Sequence, residues 1–492
     1  MRSGALGSAA IGLTLLAAAL GLALPASASA SSPLGHSGRW ITDAQGRVIT
    51  LHGINMVYKV APYDPAGAGF DAEDIDFLAR KGFNTVRLGL IYKAIEPNPG
   101  SYNDRYLNHV AATQRALARR GIYSLLDFHQ DLYNERFQGE GWPDWAVQDD
   151  GLPAEPRQGF PGNYLAQPAL NRAFDHFWAN DPAPDGVGLQ DHYARAWSHV
   201  AARFRDQPGV LGYDLMNEPW PGSAYPSCTS PAGCPAFDQT QLTAFTVKVI
   251  DQIRKVDRRH LAWYEPLLTY DFGAQTWLAD PQDGRAGFSF HDYCLPGAFG
   301  GPTGDACQSV EDLPFQNADT RSATTGDALM LSEFGATDDL ATIGRIIGLA
   351  DQHMTSWQYW HYCGCSDPTT QAPDNQAIVP NARRAPGGDN LRAKKLKLLA
   401  RPYPRLVAGT PLRWSFDPAT RRFELVYSTA RVRGPGRVGG GHSENATPTL
   451  QYGRGYRVKV SGAEWRSKAN APILRLRSSR HAREVTVIVK PR

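Results

Sequence analysis

The sequence predicts an α/β fold: a (β/α)8 barrel of the TIM type, followed by a C-terminal β-sandwich. Three observations carry this reading. Short apolar strands alternate with amphipathic helices eight times along the first four-fifths of the chain. Polar residues suited to chemistry recur at the ends of those strands. After Arg401-Pro402-Tyr403-Pro404 the pattern changes to short strands separated by glycine and polar turns. Strand–helix alternation implies a parallel sheet with helices outside it, and eight units over roughly 370 residues fit a closed barrel with long loops. A doubly wound open sheet is the competing architecture, but the glycine-rich phosphate loop that would support it is missing.

Residues 1–30 stand apart. Arg2 precedes an apolar run from Ile11 to Leu24, and Ala26-Ser27-Ala28 and Ala28-Ser29-Ala30 offer small-residue cleavage sites. This is the pattern of a cleaved secretory signal peptide, so a secreted, extracellular protein is expected. An uncleaved anchor helix is the alternative, and the run is short for one. The barrel is expected over 31–405 and the β-sandwich over 406–492.

Arg39 to Leu51 alternates around Gln45-Gly46 and reads as a hairpin closing the bottom of the barrel. The first strand follows as Ile49–Ile54, with Asn55 and Lys59 beyond it. Asp71 is placed to cap a helix whose apolar face is Ile75, Phe77, Leu78 and Ala79, and Gly82 stops it. The strand Phe83–Leu88 carries Arg87 near its end. A helix over Asp104–Arg120 presents Leu107, Val110, Ala111 and Leu117 on one face. The strand Ile122–Phe128 then ends in His129-Gln130-Asp131.

Residues 132–189 are long for a loop and rich in aromatics, so they are expected to pack as a lid or wall. Most of those aromatics are expected to form the segment's own core. Tyr193, Trp197, Val200 and Phe204 mark the next helix. The strand Val210–Met216 ends in Asn217-Glu218-Pro219, where proline forces the chain out of the sheet. The helix Leu242–Val256 leads to Leu261–Tyr264 and Glu265. Ala286–Phe290 ends in His291-Asp292-Tyr293, and Ala328–Ser332 ends in Glu333. The helix Asp339–His353, the strand Ser356–Trp360 and the helix Leu391–Ala400 complete the series. Beyond it, Leu412–Phe416, Arg422–Thr429, Tyr456–Val460, Ile473–Leu476 and Val485–Val489 read as sandwich strands.

Charge is unevenly placed. Residues 391–492 hold 23 Lys and Arg against 5 Asp and Glu, a net +18, so the preceding residues hold −15 of the chain's +3. A peripheral contact with an anionic membrane surface is one reading; a solvated basic sheet is the other. No nucleic-acid partner is expected, and a monomer is. Six cysteines in an exported chain suggest disulfides. Cys228 and Cys234 bracket one short loop, Cys294 and Cys307 another, and Cys363 and Cys365 are nearly adjacent. Fifteen connectivities stay open. No CxxC or HxxxH pattern points to a metal, and neither metal nor other cofactor is expected.

Two carboxylates at two strand ends suit glycosidic bond cleavage, which needs an acid at the leaving oxygen and a carboxylate at the anomeric carbon. On strands four and seven, Glu218 and Glu333 can face each other across a barrel mouth at the retaining separation of about 5 Å. Glu333 is read as nucleophile and Glu218 as acid/base. Arg87 and Tyr293 are expected to hold Glu333 ionised by lowering its pKa. Asn217 is placed to bind a sugar 2-hydroxyl, and His129, Asp131 and Lys59 other hydroxyls. Trp360 is placed to floor a sugar site. His291 falls at the same level and is read as supporting. Glu265 is the rival carboxylate, with a structural role expected.

These strings carry a resemblance. Phe128-His129-Gln130-Asp131, Gly212 to Gly222 around Asn217-Glu218-Pro219, His291-Asp292-Tyr293-Cys294 and Glu333-Phe334-Gly335-Ala336-Thr337 are similar to glycoside hydrolase family 5. They resemble most closely its endoglycoceramidase branch, of the actinobacterial type. The resemblance runs from about residue 40 to the end. It implies a hydrolase that separates intact oligosaccharide from ceramide in glycosphingolipids held in membranes or micelles. It carries nucleophile and acid/base roles to Glu333 and Glu218, and sugar contacts to Lys59, His129, Asp131, Asn217, Tyr293 and Trp360. It leaves open whether gangliosides or galactose-linked glycolipids are preferred. The competing readings are a family 5 β-glycanase acting on soluble polysaccharide and a non-catalytic glycolipid-binding protein.

Overall fold

Eight parallel strands close on themselves in sequence order: β1 (His52–Met56), β2 (Thr85–Ile91), β3 (Tyr123–His129), β4 (Val210–Asp214), β5 (Leu261–Tyr264), β6 (Ala286–Asp292), β7 (Ala328–Phe334) and β8 (Ser356–Tyr359). The β8–β1 pairing, with Trp357 opposite His52, completes the ring. The structure is a computed structural model and describes residues 33–294, 305–370 and 372–492. The segment read as a signal peptide lies outside these residues. Among the described residues no helix is long and apolar enough to cross a membrane.

Helices pack outside the barrel as their periodicity requires. The helix Ala72–Lys81 begins at Asp71, whose side chain accepts from Glu73 N, and ends at Gly82 in the left-handed conformation, φ 94°. Without a β-carbon, glycine takes that conformation with little strain. Ile75, Phe77 and Leu78 are buried on its inner face.

The bottom of the barrel departs from expectation. The apolar run after Val48 reads as one strand, yet the chain divides it. Val48–Ile49 lies in an outer sheet and β1 begins only at His52. Leu51 N donates to Ser356 Oγ at the join. The hairpin does close the bottom: Leu34, Ile41, Ile49 and Leu51 pack with Leu125, Leu211, Leu261 and Trp263 from the barrel strands. It also pairs outward, with Ile49 opposite Leu406 and Val48 opposite Val407. The N-terminal hairpin is thereby built into the C-terminal sheet, so the outer sheet crosses the expected boundary at 405.

Two antiparallel sheets form the C-terminal layer pair. One has seven strands, including Gly35–Ser37, Trp40–Thr42, Val48–Ile49 and Tyr403–Val407; the other has Thr410–Asp417, Arg422–Ser428, Glu484–Pro491 and Tyr456–Ser461. Trp414, Phe423, Leu425, Leu474, Val485 and Val487 fill the space between them. The strand His442–Ala446 was not legible because it is polar. Its buried Ser443 accepts from Ala408 N, so a side chain supports the fold where an apolar residue would signal it. At the contact with the barrel, Asp351 accepts from both Arg401 (2.6 Å) and Trp414 (2.9 Å).

The segment 132–189 is a packed wall. It contains the helices Gly162–Ala166 and Pro168–Ala179. Tyr133, Phe137, Trp142, Tyr164, Phe174 and Phe177 are buried within a core continuous with the barrel's, so most of its aromatics serve packing. The cysteines pair as Cys228–Cys234, Cys294–Cys307 and Cys363–Cys365.

Candidate active site

The carboxyl ends of the strands open into a cavity of about 390 Å³, within the range of small-molecule sites. Its polar lining includes Lys59, His129, Asp131, Asn217, Glu218 and Glu333, and Tyr293 and Trp360 also face it. Phe160, Leu268, Phe272 and Ile346 supply apolar surface in the same cavity.

Glu218 is held by its backbone. After β4 the chain leaves the sheet, and Glu218 takes φ 40°, the left-handed region. A non-glycine residue there costs about 1–3 kcal/mol and persists only where its surroundings fix it. The fixing groups are visible: Glu218 N donates to Glu265 Oε2 at 2.8 Å, and Gln130 Nε2 donates to the carbonyls of Asn217 and Glu218, both at 3.0 Å. The rival carboxylate, Glu265, is therefore occupied in shaping this turn.

Glu333 is held by a bulge. Leu331 pairs with Phe290 but Glu333 pairs with His291, so one extra residue sits in β7 just before the glutamate. A bulge bends the strand and re-aims the side chain that follows. Glu333 Oε1 accepts from Arg87, and Oε2 accepts from the Tyr293 hydroxyl at 2.9 Å.

Arg87 is fully buried and lies at the centre. Besides Glu333 it meets Asp127 (3.0 Å), Asp214 (2.8 Å) and Glu265 (2.8 Å), and it donates to Asn217 Oδ1 at 3.0 Å. Four carboxylates share one guanidinium. Burial raises the Glu333 carboxyl above its ordinary value although His291 and Arg87 pull it down. This corrects the expectation of a lowered value. Arg87 has three other carboxylates to neutralise, and desolvation of Glu333 outweighs its share.

His291 bridges the two glutamates. Its Nδ1 lies 2.8 Å from Glu218 Oε1 and 3.8 Å from Glu333 Oε2. The gap between those oxygens cannot exceed the sum of the two distances. That bound, 6.6 Å, admits the retaining separation of about 5–5.5 Å and all but excludes the inverting range of about 6.5–9.5 Å. Burial opposes charge on His291, but Glu265 and Glu333, with the Glu218 hydrogen bond, outweigh it and raise its pKa well above the ordinary value.

A second group sits beside the carboxylate pair. Lys59 Nζ meets Asp131 at 2.5 Å and Thr369 Oγ1 at 2.7 Å, and lies 4.5 Å from the Trp360 ring centre. His129 stacks on Trp360 and donates from Nδ1 to Asp127 at 2.8 Å, while its Nε2 lies 3.7 Å from Asp131 Oδ2 without a hydrogen bond to the protein. Burial disfavours its charge, yet Asp127 and Asp131 push its pKa up to about 10. Asn217 donates to the Gln130 carbonyl, and Trp360 donates to Gln376 Oε1 at 2.9 Å. The structure thus brings every residue singled out from sequence into one cavity or its supporting shell.

It also adds residues. Asp127 and Asp214 had a signal: each is a charged residue inside an apolar strand. Asp271, Asp367, Thr369 and Glu140 lie on loops and had none. His129, Asp131 and Glu140 could be a cation site by proximity, as could Glu218, Asp271 and His291. Lys59 Nζ already occupies Asp131, and His291 Nδ1 is engaged by Glu218 Oε1.

Residues 42–366 match the family described as cellulase (glycosyl hydrolase family 5), and 401–489 match the glycoside hydrolase family 5 C-terminal domain. The chain belongs to glycoside hydrolase family 5. Within family 5 it is endoglycoceramidase-like. It is 33% identical over 449 residues to Endoglycoceramidase I of Rhodococcus hoagii, covering 89% of this chain and 84% of that one. It is 29% identical to Endoglycoceramidase of Cyanea nozakii, covering 85% of each. Endo-glycoceramidase II from Rhodococcus sp., solved as a lactosyl-enzyme intermediate, superposes with a TM-score of 0.74 at 29% identity, over 92% of this chain and 99% of that one.

The shared guanidinium yields a prediction. Lysine offers a point charge in place of a planar fork, so Arg87→Lys leaves buried carboxylates without a partner. The unfolding free energy is expected to fall by about 3–5 kcal/mol, read by urea denaturation. A loss under about 1 kcal/mol would mean the carboxylates find other partners.

Proposed function

We propose that this family 5 protein is a retaining endo-glycosidase that cleaves between the intact oligosaccharide and the ceramide of glycosphingolipids. The observation that carries the chemistry is His291 bridging Glu218 and Glu333 at the mouth of one cavity. The substrate class is supported by the endoglycoceramidases above and by Endo-glycoceramidase II from Rhodococcus sp. solved as a ganglioside GM3 complex. A cavity with both hydroxyl-binding groups and apolar surface suits a glycan joined to a lipid.

Glu333 attacks the anomeric carbon as the nucleophile. Glu218 gives its proton to the departing ceramide oxygen. A water then gives a proton to Glu218 and displaces Glu333 from the sugar, restoring both groups and the original anomeric configuration. Asn217, held by Arg87 and Gln130, is placed for the sugar 2-hydroxyl. Charged His129 offers a donor at Nε2, while Lys59 and Asp131 flank Trp360 as the floor. Tyr293 keeps its proton, because burial and Glu333 push its pKa well above the ordinary value, and so it remains a donor to the nucleophile.

Export of the chain belongs to the same proposal, and the three disulfides favour it. The basic C-terminal segment joins the barrel through the hairpin at the end opposite the mouth. It is proposed to draw the protein to anionic surfaces by long-range attraction. Binding to vesicles should rise with anionic lipid and fall with added salt; insensitivity to both removes this part.

The central test is product analysis by mass spectrometry on detergent-dispersed lactosylceramide, a ganglioside and a galactosylceramide. Intact glycan plus ceramide is expected, with turnover abolished and glycolipid binding kept in Glu333→Ser. Activity confined to cello- or manno-oligosaccharides would leave the barrel chemistry and discard the lipid substrate.

The pH profile gives a second test. Glu333 must be ionised to attack, so activity falls as pH drops through its pKa, which burial places above the ordinary 4.5. A hydrogen bond to the ionised form favours that form. Removing the Tyr293 donor therefore raises the Glu333 value further. Tyr293→Phe should move the acid limb of kcat/KM up by about one pH unit, for a hydrogen bond of about 1.5 kcal/mol. A limb that stays in place would contradict the Glu333 assignment.

A further inference from the structure

Asp271 is a buried carboxylate beside the reacting pair that the mechanism above does not use. It is 3% exposed and lies on the one-turn helix Leu268–Phe272, between β5 and β6. That turn is tied to the chain just beyond β4 and β6. Leu268 N donates to the carbonyl of Pro219, the residue after Glu218, at 3.2 Å. Tyr293 N donates to the carbonyl of Asp271 at 3.1 Å, and Tyr293 in turn holds Glu333. Asp271 Oδ2 has no hydrogen-bond partner in the protein and lies 3.9 Å from His291 Nδ1. Carboxyl oxygens of Asp271 and Glu218 lie within 4.8 Å of each other. Catalytic hydrogen bonds are often long before substrate binds and tighten in the complex.

We propose that Asp271 is a positioning residue for Glu218, a neutral carboxyl that keeps its own proton and donates a hydrogen bond to Glu218 as that residue becomes a carboxylate. The inference rests on the acid/base reading of Glu218. Two negative carboxylates cannot share this site cheaply, and a protonated neighbour removes the repulsion while adding a donor. Burial, with Glu218 next to it, raises the Asp271 pKa well above its ordinary value; His291 opposes this, and Glu265 adds to it.

The proton balance is closed. In the first step Glu218 passes its proton to the leaving oxygen, and the Asp271 hydroxyl stabilises the charge left on Glu218. In the second step Glu218 takes a proton from water. Asp271 holds the same proton throughout. Its effect therefore falls on substrates whose leaving group needs protonation.

The test compares an alkyl β-lactoside, whose leaving oxygen needs a proton, with a dinitrophenyl β-lactoside, whose leaving group does not. Asp271→Ala should slow the alkyl lactoside by about 10- to 100-fold, the range of a charge-assisted hydrogen bond, and the dinitrophenyl lactoside by less than about threefold in single-turnover measurements. Asp271→Asn, neutral and still a donor, should restore the alkyl lactoside to within about threefold. Equal loss on both substrates, no loss on either, or an Asn variant as slow as Ala overturns the proposal. If the Ala variant does not fold, the Asn variant decides alone: retained alkyl turnover supports a neutral donor, and loss to the Glu218→Gln level overturns it. Glu218→Gln run in parallel separates the two readings. If it shows no dependence on leaving group, the acid/base assignment fails; if it does and Asp271→Ala does not, only the role of Asp271 fails.

Discussion

The site depends on one buried guanidinium. Arg87 rises from β2 into the axis of the barrel and meets carboxylates from β3, β4, β7 and the turn after β5. A lone buried charge of either sign would be prohibitive. Here the strands converge on a shared counter-charge, so barrel closure and the polar centre stabilise each other. The electrostatics of the mouth follow from how far that single positive charge reaches. Arg87 and His291 face more acids than they can offset, so burial sets the direction in which several of those acids shift. Burial accordingly raises Asp214, with Glu265 adding to it, while Glu265 itself, facing both Arg87 and His291, is held below its ordinary value.

Two backbone irregularities aim the glutamates inward from that frame. The left-handed turn at Glu218 and the bulge before Glu333 are local departures from ideal strand geometry. Neither would persist on a free chain. Glu265 and Gln130 fix the first from both sides, and pairing with β6 fixes the second. Strain held by surrounding hydrogen bonds is how a fold presents a side chain in one orientation.

The barrel was legible because period and punctuation agreed. Gly82, Asp71 and Asp339 fall where the sequence places helix ends, and the strand-end strings mark the mouth. The apolar run after Val48 was misread as a single strand because hydrophobicity records burial and not which sheet does the burying. The strand His442–Ala446 was missed for the converse reason: two of its three buried positions, Ser443 and Asn445, are polar. In the site, residues at or just beyond the strand ends were found, whereas Asp127 and Asp214 inside the strands and residues on the more distant connections were not. Asp271, Asp367 and Thr369 reach the cavity through tertiary packing, which leaves no local pattern. The direction of the Glu333 shift was also beyond the sequence, since it turns on how many other acids share Arg87.

The distribution of unpartnered polar atoms bears on selectivity. His129 Nε2 lines the cavity beside Asp131, buried and without a hydrogen bond to the protein. Buried polar groups discriminate most strongly when a ligand must complete their hydrogen bonds, because an analogue lacking the hydroxyl leaves them unpaired. The apolar side of the cavity works differently. Phe160, Leu268, Phe272 and Ile346 offer surface without direction, and each methylene gained or lost there shifts binding only modestly. A ligand with a hydroxyl-rich head and a hydrocarbon tail is therefore read strictly at one end and loosely at the other. That asymmetry ties strict recognition to the groups that need a hydroxyl to complete them and looser recognition to the apolar lining.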